Sequence, residues 1–163
     1  MPKLCFTYDG KEVEVSSAST GSSAESQQYT YVLISVLDFK GFEFRIFPKS
    51  LQTMINDKIG IKKQISTGDT LFDRYFSVYS SDKDQILKIL SSDIKSDLLK
   101  WAEKEPVNNI SDIRNYDNKF IFCVIGEIKN QYEFNELIKR PRRSLFGICH
   151  GTWHAVACSC AIW

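Results

Sequence analysis

Phe42, Phe44 and Ile46 alternate with Glu43 and Arg45. This period of two sets apolar side chains on one face of a strand and polar ones on the other. Tyr29 to Leu37 is instead apolar on both parities, with Val32, Ile34 and Val36 opposite Tyr31, Leu33 and Leu37. That pattern predicts a strand covered on both sides and central in its sheet. Joined by a turn at Asp38 to Gly41, the two runs predict a hairpin. Another is predicted upstream, where Cys5 to Tyr8 and Lys11 to Val15 flank the two-residue link Asp9-Gly10. Between the hairpins, Ser16 to Gln28 holds six serines in thirteen residues. With almost nothing to bury, this segment is expected to be a flexible surface loop.

Pro48 cannot donate to a ladder and ends the fourth run, ahead of a short helix from about Ser50 to Lys58 that Gly60 closes. Ile61 to Ile65 reads as a short strand and Phe72 to Ser80 as a longer one with Phe76 and Val78 inward. Ser81 and Ser92 are placed to cap two successive helices, the first presenting Ile86, Leu87 and Leu90, the second Ile94, Leu98 and Trp101. The repeated Ser-Ser-Asp at 80–82 and 91–93 follows from capping chemistry without duplication. Ile110 to Arg114 and Lys119 to Ile128 predict a last hairpin around Asn115 to Asn118. Tyr132, Phe134, Leu137 and Ile138 have the spacing of a terminal helix from near Asn130. The expectation is a single α+β domain over residues 1–139, with a mixed or antiparallel sheet and two to four helices. Its core should bury Phe44, Phe76, Leu87, Leu98 and Phe122.

Composition narrows the function classes. With 163 residues, 43% of them hydrophobic, the chain suffices for one core of ordinary size. Twenty-one basic and 20 acidic residues are interspersed along most of it, which argues against a nucleic-acid partner. No run approaches the roughly 18 apolar residues of a membrane span, and the first residues lack a secretory pattern. Membrane insertion by this chain is therefore not expected, and the reading is cytoplasmic. The five cysteines are an odd number, and Cys5 and Cys123 sit in strand-like apolar runs, where a free thiol behaves as a small hydrophobe. A protein or small-molecule partner remains open.

The densest local signal runs from Ser66 to Asp82, as Ser-Thr-Gly-Asp-Thr-Leu-Phe-Asp-Arg-Tyr-Phe-Ser-Val-Tyr-Ser-Ser-Asp. It resembles an uncharacterised microbial domain family, a domain of unknown function with the signature Thr-Gly-Asp-x-x-Phe-Asp-Arg-x-Phe-x-Val. Tyr29-Thr30, the run Phe44 to Pro48 and Leu98-Leu99 are also similar to that family. The resemblance spans about Gly10 to Lys139. It implies a fold and assigns no activity, substrate or cofactor to any residue; family members often adjoin membrane segments that this chain lacks.

From chemistry alone, Asp69, Asp73 and Arg74 form a candidate catalytic set, a carboxylate pair with a cationic partner of the kind that handles phosphate or a proton. The competing reading makes Gly68-Asp69 an ordinary turn and sends Asp73 and Arg74 to opposite faces of a strand, each with a structural role. There is no phosphate-cradling glycine loop, no nucleophile elbow and no histidine before residue 150. The balance favours a non-catalytic binding or accessory module without a cofactor. The alternatives are a small enzyme using Asp69, Asp73 and Arg74, or a metal-binding interaction protein.

The last of these comes from the tail. Residues 140–163 contain three arginines but no lysine and no acidic residue, whereas the preceding 139 hold 15 lysines. Both histidines and three of the five cysteines fall there. Cys149, His150, His154, Cys158 and Cys160 offer the thiolates and imidazoles that zinc takes, although paired Cys-x-x-Cys spacing is missing. The favoured reading is a foreign tail, from a frameshift or read-through, dispensable for the fold. A zinc site and an ordinary packed or disordered tail are the alternatives.

Overall fold

A computed structural model describes residues 3–8, 10–20, 26–35, 41–51, 64–103 and 110–127. In chain order the elements are β1 (Lys3–Tyr8), β2 (Lys11–Thr20), β3 (Gln27–Ser35), β4 (Phe44–Pro48), a 3-10 turn (Lys49–Leu51) and β5 (Gln64–Ile65). There follow α1 (Thr70–Tyr75), β6 (Phe76–Ser80), α2 (Lys83–Ile89), α3 (Ser92–Ala102), β7 (Ile110–Tyr116) and β8 (Lys119–Ile125). The strands form one sheet in the order β1-β2-β3-β8-β7-β4-β6-β5, antiparallel throughout. Strand accounts for 54% and helix for 27% of the described residues, so the expected α+β class is corrected to a β-rich fold. The reason is length: helices of 6, 7 and 11 residues patch one sheet face rather than build a layer of their own.

Two tight turns set the register. Gly10, at φ 72°, links Tyr8 to its partner Lys11. Asp117 and Asn118, at φ 48° and 56°, link Tyr116 to Lys119. Two successive left-handed residues twist the chain in the sense that antiparallel strands require, and aspartate and asparagine tolerate that region better than other non-glycine residues.

Given these registers, one face collects the core. Val13, Val15, Val32, Ile34, Phe120, Phe122, Ile113, Ile46, Phe44 and Val78 lie on it, and Phe72, Ile86, Leu90, Ile94 and Leu98 from the three helices close over them in one cluster. Of the five expected core residues, Phe44, Phe76, Leu98 and Phe122 are buried, while Leu87 is only partly so because α2 turns Ile86 and Leu90 inward instead.

Other local expectations change. The predicted hairpin between the third and fourth strands does not form: β3 lies between β2 and β8, and β4 between β7 and β6. Residues 120–124 of β8 are buried on both parities, so β8 belongs in the middle of the sheet, and it lies beside β3. The expected loop at 16–28 is strand at both ends, with Ser16 opposite Tyr31 and Thr20 opposite Gln27. A two-stranded ribbon needs only its backbone ladder there, so serine does not prevent it. Phe72 to Tyr75, read as strand, belongs to α1.

The caps also move by one residue. Asp82 accepts from the N–H groups of Asp84 and Gln85 at 2.9 and 3.0 Å, and Ser91 accepts from that of Ile94 at 3.4 Å. Ser81, freed from capping, accepts instead from the Glu43 N–H at 2.9 Å. The helices expected at Ser50 to Lys58 and from Asn130, and the whole of residues 140–163, lie largely or wholly outside the described residues.

Where β4 enters the sheet, a side chain stands in for the ladder. The buried Asn115 accepts from the Phe44 N–H at 2.8 Å and donates to the Phe42 carbonyl. Asn115→Ala is expected to cost about 2–4 kcal/mol in urea unfolding, since two backbone groups lose partners worth about 1–3 kcal/mol each once buried. A loss under about 1 kcal/mol would show that water replaces the amide.

Candidate functional site

Asp69 and Asp73 belong to one hydrogen-bonded turn. Gly68 sits at φ 79°, and the chain reverses there into α1. Asp69 caps that helix by accepting from the N–H groups of Leu71 and Phe72 at 3.1 and 3.0 Å, and it pairs with Lys95 of α3 at 3.4 Å. Asp73 reaches back to accept from the hydroxyls of Thr67 and Ser66, at 2.7 and 2.8 Å, and from the Thr67 N–H at 3.0 Å. Thus both carboxylates hold the turn together.

Their acidities follow. The Phe72 N–H, with help from Lys95, lowers the Asp69 carboxyl. Burial pushes the Asp73 carboxyl up, but the bonds from Thr67, Ser66 and the turn backbone outweigh it and the net direction is down. A group with a depressed folded value stabilises the fold above its ordinary value and loses that contribution as pH falls through the folded one. The ordinary value here is 3.8. Asp73→Ala is accordingly expected to cost about 1–3 kcal/mol near neutrality, with the difference from the parent chain shrinking as pH drops below 3.8. Thermal melts of the two proteins from pH 7 to pH 2 check this; a constant difference would show that the carboxylate charge is not what holds the turn.

Arg74, the third member of the candidate set, is exposed and has no ion-pair partner among the described residues. It lines a cleft of 320 Å³ together with Pro48, Lys49, Ser50, Tyr75, Phe76, Ala102, Ile110 and Ile125. Neither aspartate is among these. The cleft lies at one end of the sheet, where β4 runs into the 3-10 turn and α1 into β6. Two cations, a tyrosine and a serine mark its polar part, and apolar side chains supply the rest. Sequence reading singled out Arg74 for its neighbours in the chain; nothing local pointed to Lys49, Ile110 or Ile125, which the sheet order brings to it. A second cleft of 270 Å³ lies between residues 41–43 and 115–118.

The opposite face of the sheet carries a buried ion cluster that sequence reading missed. Arg45 grips Asp112 with both nitrogens of its fork, at 2.7 and 3.0 Å, and the Arg114 Nε lies 3.4 Å from the second carboxylate oxygen. A bulge puts Asp112 there: pairing shifts between Ile110 and Asp112. Ile110 can then share the core face with Ile113, while Asp112 and Arg114 face away. Arg45 also lies over the Phe47 ring at 5.7 Å, and that ring stacks on Tyr79. Burial pushes the Asp112 carboxyl up, and the two guanidiniums pull it part of the way back. Beside the cluster, burial and then Asp112 drive the Cys123 thiol up to about 11, and burial and then Cys123 drive Tyr31 to about 12. Both remain protonated at neutral pH, so neither is a ready nucleophile or base.

No group of three or more metal-ligating side chains occurs among the described residues. Cys149, His150, His154, Cys158 and Cys160 lie outside them. Among the described residues no helix is long and apolar enough to cross a membrane. No family model, curated protein or solved structure matches the chain.

Proposed function

We propose that this protein is a non-catalytic binding module and that its ligand seats in the cleft of Lys49, Arg74 and Tyr75. One observation carries this reading: the carboxylates of Asp69 and Asp73 are engaged by the turn they cap, while Arg74 stands apart from them in the lining of a cleft. A general acid or base has to reach a substrate proton, and a carboxylate holding three donors at 2.7–3.0 Å is committed elsewhere. The cleft falls at the small end of the range for ligand sites, and its apolar wall with a few polar groups is their usual make-up. A reducing, cytoplasmic setting belongs to the same reading, in keeping with the free thiols of Cys5 and Cys123.

Fragment screening by ¹H–¹⁵N correlation spectra tests it. Binders are expected to shift the resonances of Lys49, Arg74, Tyr75, Ile110 and Ile125 together, and Arg74→Ala to weaken them without changing the melting temperature. Hydrolysis of generic phosphate or ester substrates that disappears in Asp73→Asn, with the fold intact, would overturn the non-catalytic reading in favour of an enzyme using Asp69, Asp73 and Arg74.

A further inference from the structure

The geometry points to a ligand class for this cleft: a small organic anion, a carboxylate or phosphate monoester, carried on a single flat apolar body. The inference rests on the cleft being the binding site.

Among the described residues, Lys49 and Arg74 are the charged side chains that line it, and none of the described lining residues is acidic. Neither cation has an ion-pair partner among the described residues. Ala102 ends α3, and the carbonyl end of a helix contributes about half a negative charge. Two full positive charges exceed it, so the cleft is net attractive to an anion. The guanidinium of Arg74 offers a planar fork matched to two oxygens of a carboxylate or phosphate, and the Lys49 ammonium adds a point charge beside it.

Charge alone would accept any anion; the rest of the lining does not. Phe76 and Ile110, each 2% exposed, make an apolar floor, with Pro48 and Ile125 beside them. Tyr75, which also lines the cleft, is 43% exposed. A ring seated on this floor has the Tyr75 ring beside it to stack against. A volume of 320 Å³ suits a one-ring molecule and is small for a nucleotide.

The probes are phenyl phosphate, inorganic phosphate and phenol, titrated into the full chain and followed by the amide resonances of the cleft. Phenyl phosphate is expected to bind at least about tenfold more tightly than either half, and to weaken as salt rises. Arg74→Ala and Lys49→Ala should each weaken it by about tenfold, Arg74→Lys by less, and Lys88→Ala, an exposed cation on α2, not at all. Melting temperatures of the variants guard against misfolding. Phenol binding as tightly as phenyl phosphate would overturn the anionic class while leaving the cleft as a site. Inorganic phosphate binding as tightly would overturn the apolar body. Cleft resonances that respond to none of the three at millimolar concentration would overturn both the ligand class and the assignment of the cleft.

Discussion

Asp112→Ala is expected to destabilise the protein by about 3–5 kcal/mol, the cost of leaving a buried charge without its counter-ion. The Arg45 side chain is 16% exposed and its fork is matched to both carboxylate oxygens at 2.7 and 3.0 Å. Without Asp112 the guanidinium keeps its charge, because arginine does not deprotonate, and stays over Phe47 with no anion beside it. Arg114 suffers less, since its side chain is 40% exposed, although its Nε, which faces Asp112, is buried. Removing both partners should behave differently. Combining Arg45→Met with Asp112→Leu replaces the pair by apolar groups of similar volume, and buried pairs so replaced are often neutral or better. The expected result of urea unfolding is therefore a double variant much closer to the parent than Asp112→Ala is. If the single substitution costs under about 1 kcal/mol, the carboxylate is not the partner that keeps Arg45 buried.

Phe76→Ala is expected to cost a similar amount, about 3–5 kcal/mol, by a different mechanism. Phe76 is 2% exposed and sits at the junction where α1 ends and β6 begins. Its ring stacks on Phe72 at 4.9 Å, and its N–H donates to the Phe72 carbonyl, closing the helix. The side chain thus fastens a short helix to the sheet, and truncation leaves a void beside the Phe72 ring in the core cluster. Phe76→Leu keeps most of the volume and should cost under about 2 kcal/mol. Denaturant midpoints with an unchanged slope would confirm a stability effect; a cost below about 1 kcal/mol for alanine would mean that the Phe72–Phe76 pair does not anchor α1.

The candidate site was legible only in part. Arg74 stood out because two aspartates precede it, but those aspartates turned out to bond the turn, and the arginine lines a cleft with residues distant in sequence. Asp69 and Asp73 are visible as a pair in the sequence, and both carboxylates bond the turn that leads into α1. Asp69 carries the same cap chemistry as Asp82 and Ser91, and it turns Phe72–Tyr75, expected as strand, into the end of α1. Arg45 sat at a polar position of an alternating run, a sign of an outward side chain, and nothing nearby announced that Asp112 would meet it.

What the chain determined by itself was local. The turn at Gly10 and the one within Asn115 to Asn118, the apolar parity of Phe44 and Ile46, and the helical spacing of Ile86 and Leu90 each depend on torsional preference and on which side chains must leave water, and a few neighbouring residues suffice to decide them. The tertiary structure decided which strands became neighbours. Any strand with one apolar face can pair with several others at similar backbone energy; the choice of β8 over β4 as the partner of β3 follows from burying both faces of 120–124 at once. The bulge at Ser111 is of the same kind, since an extra residue costs little locally and is selected because it lets Ile110 and Ile113 share the core while Asp112 turns to Arg45. Clefts and ion clusters inherit that dependence, because their members are brought together by strand order rather than by spacing along the chain.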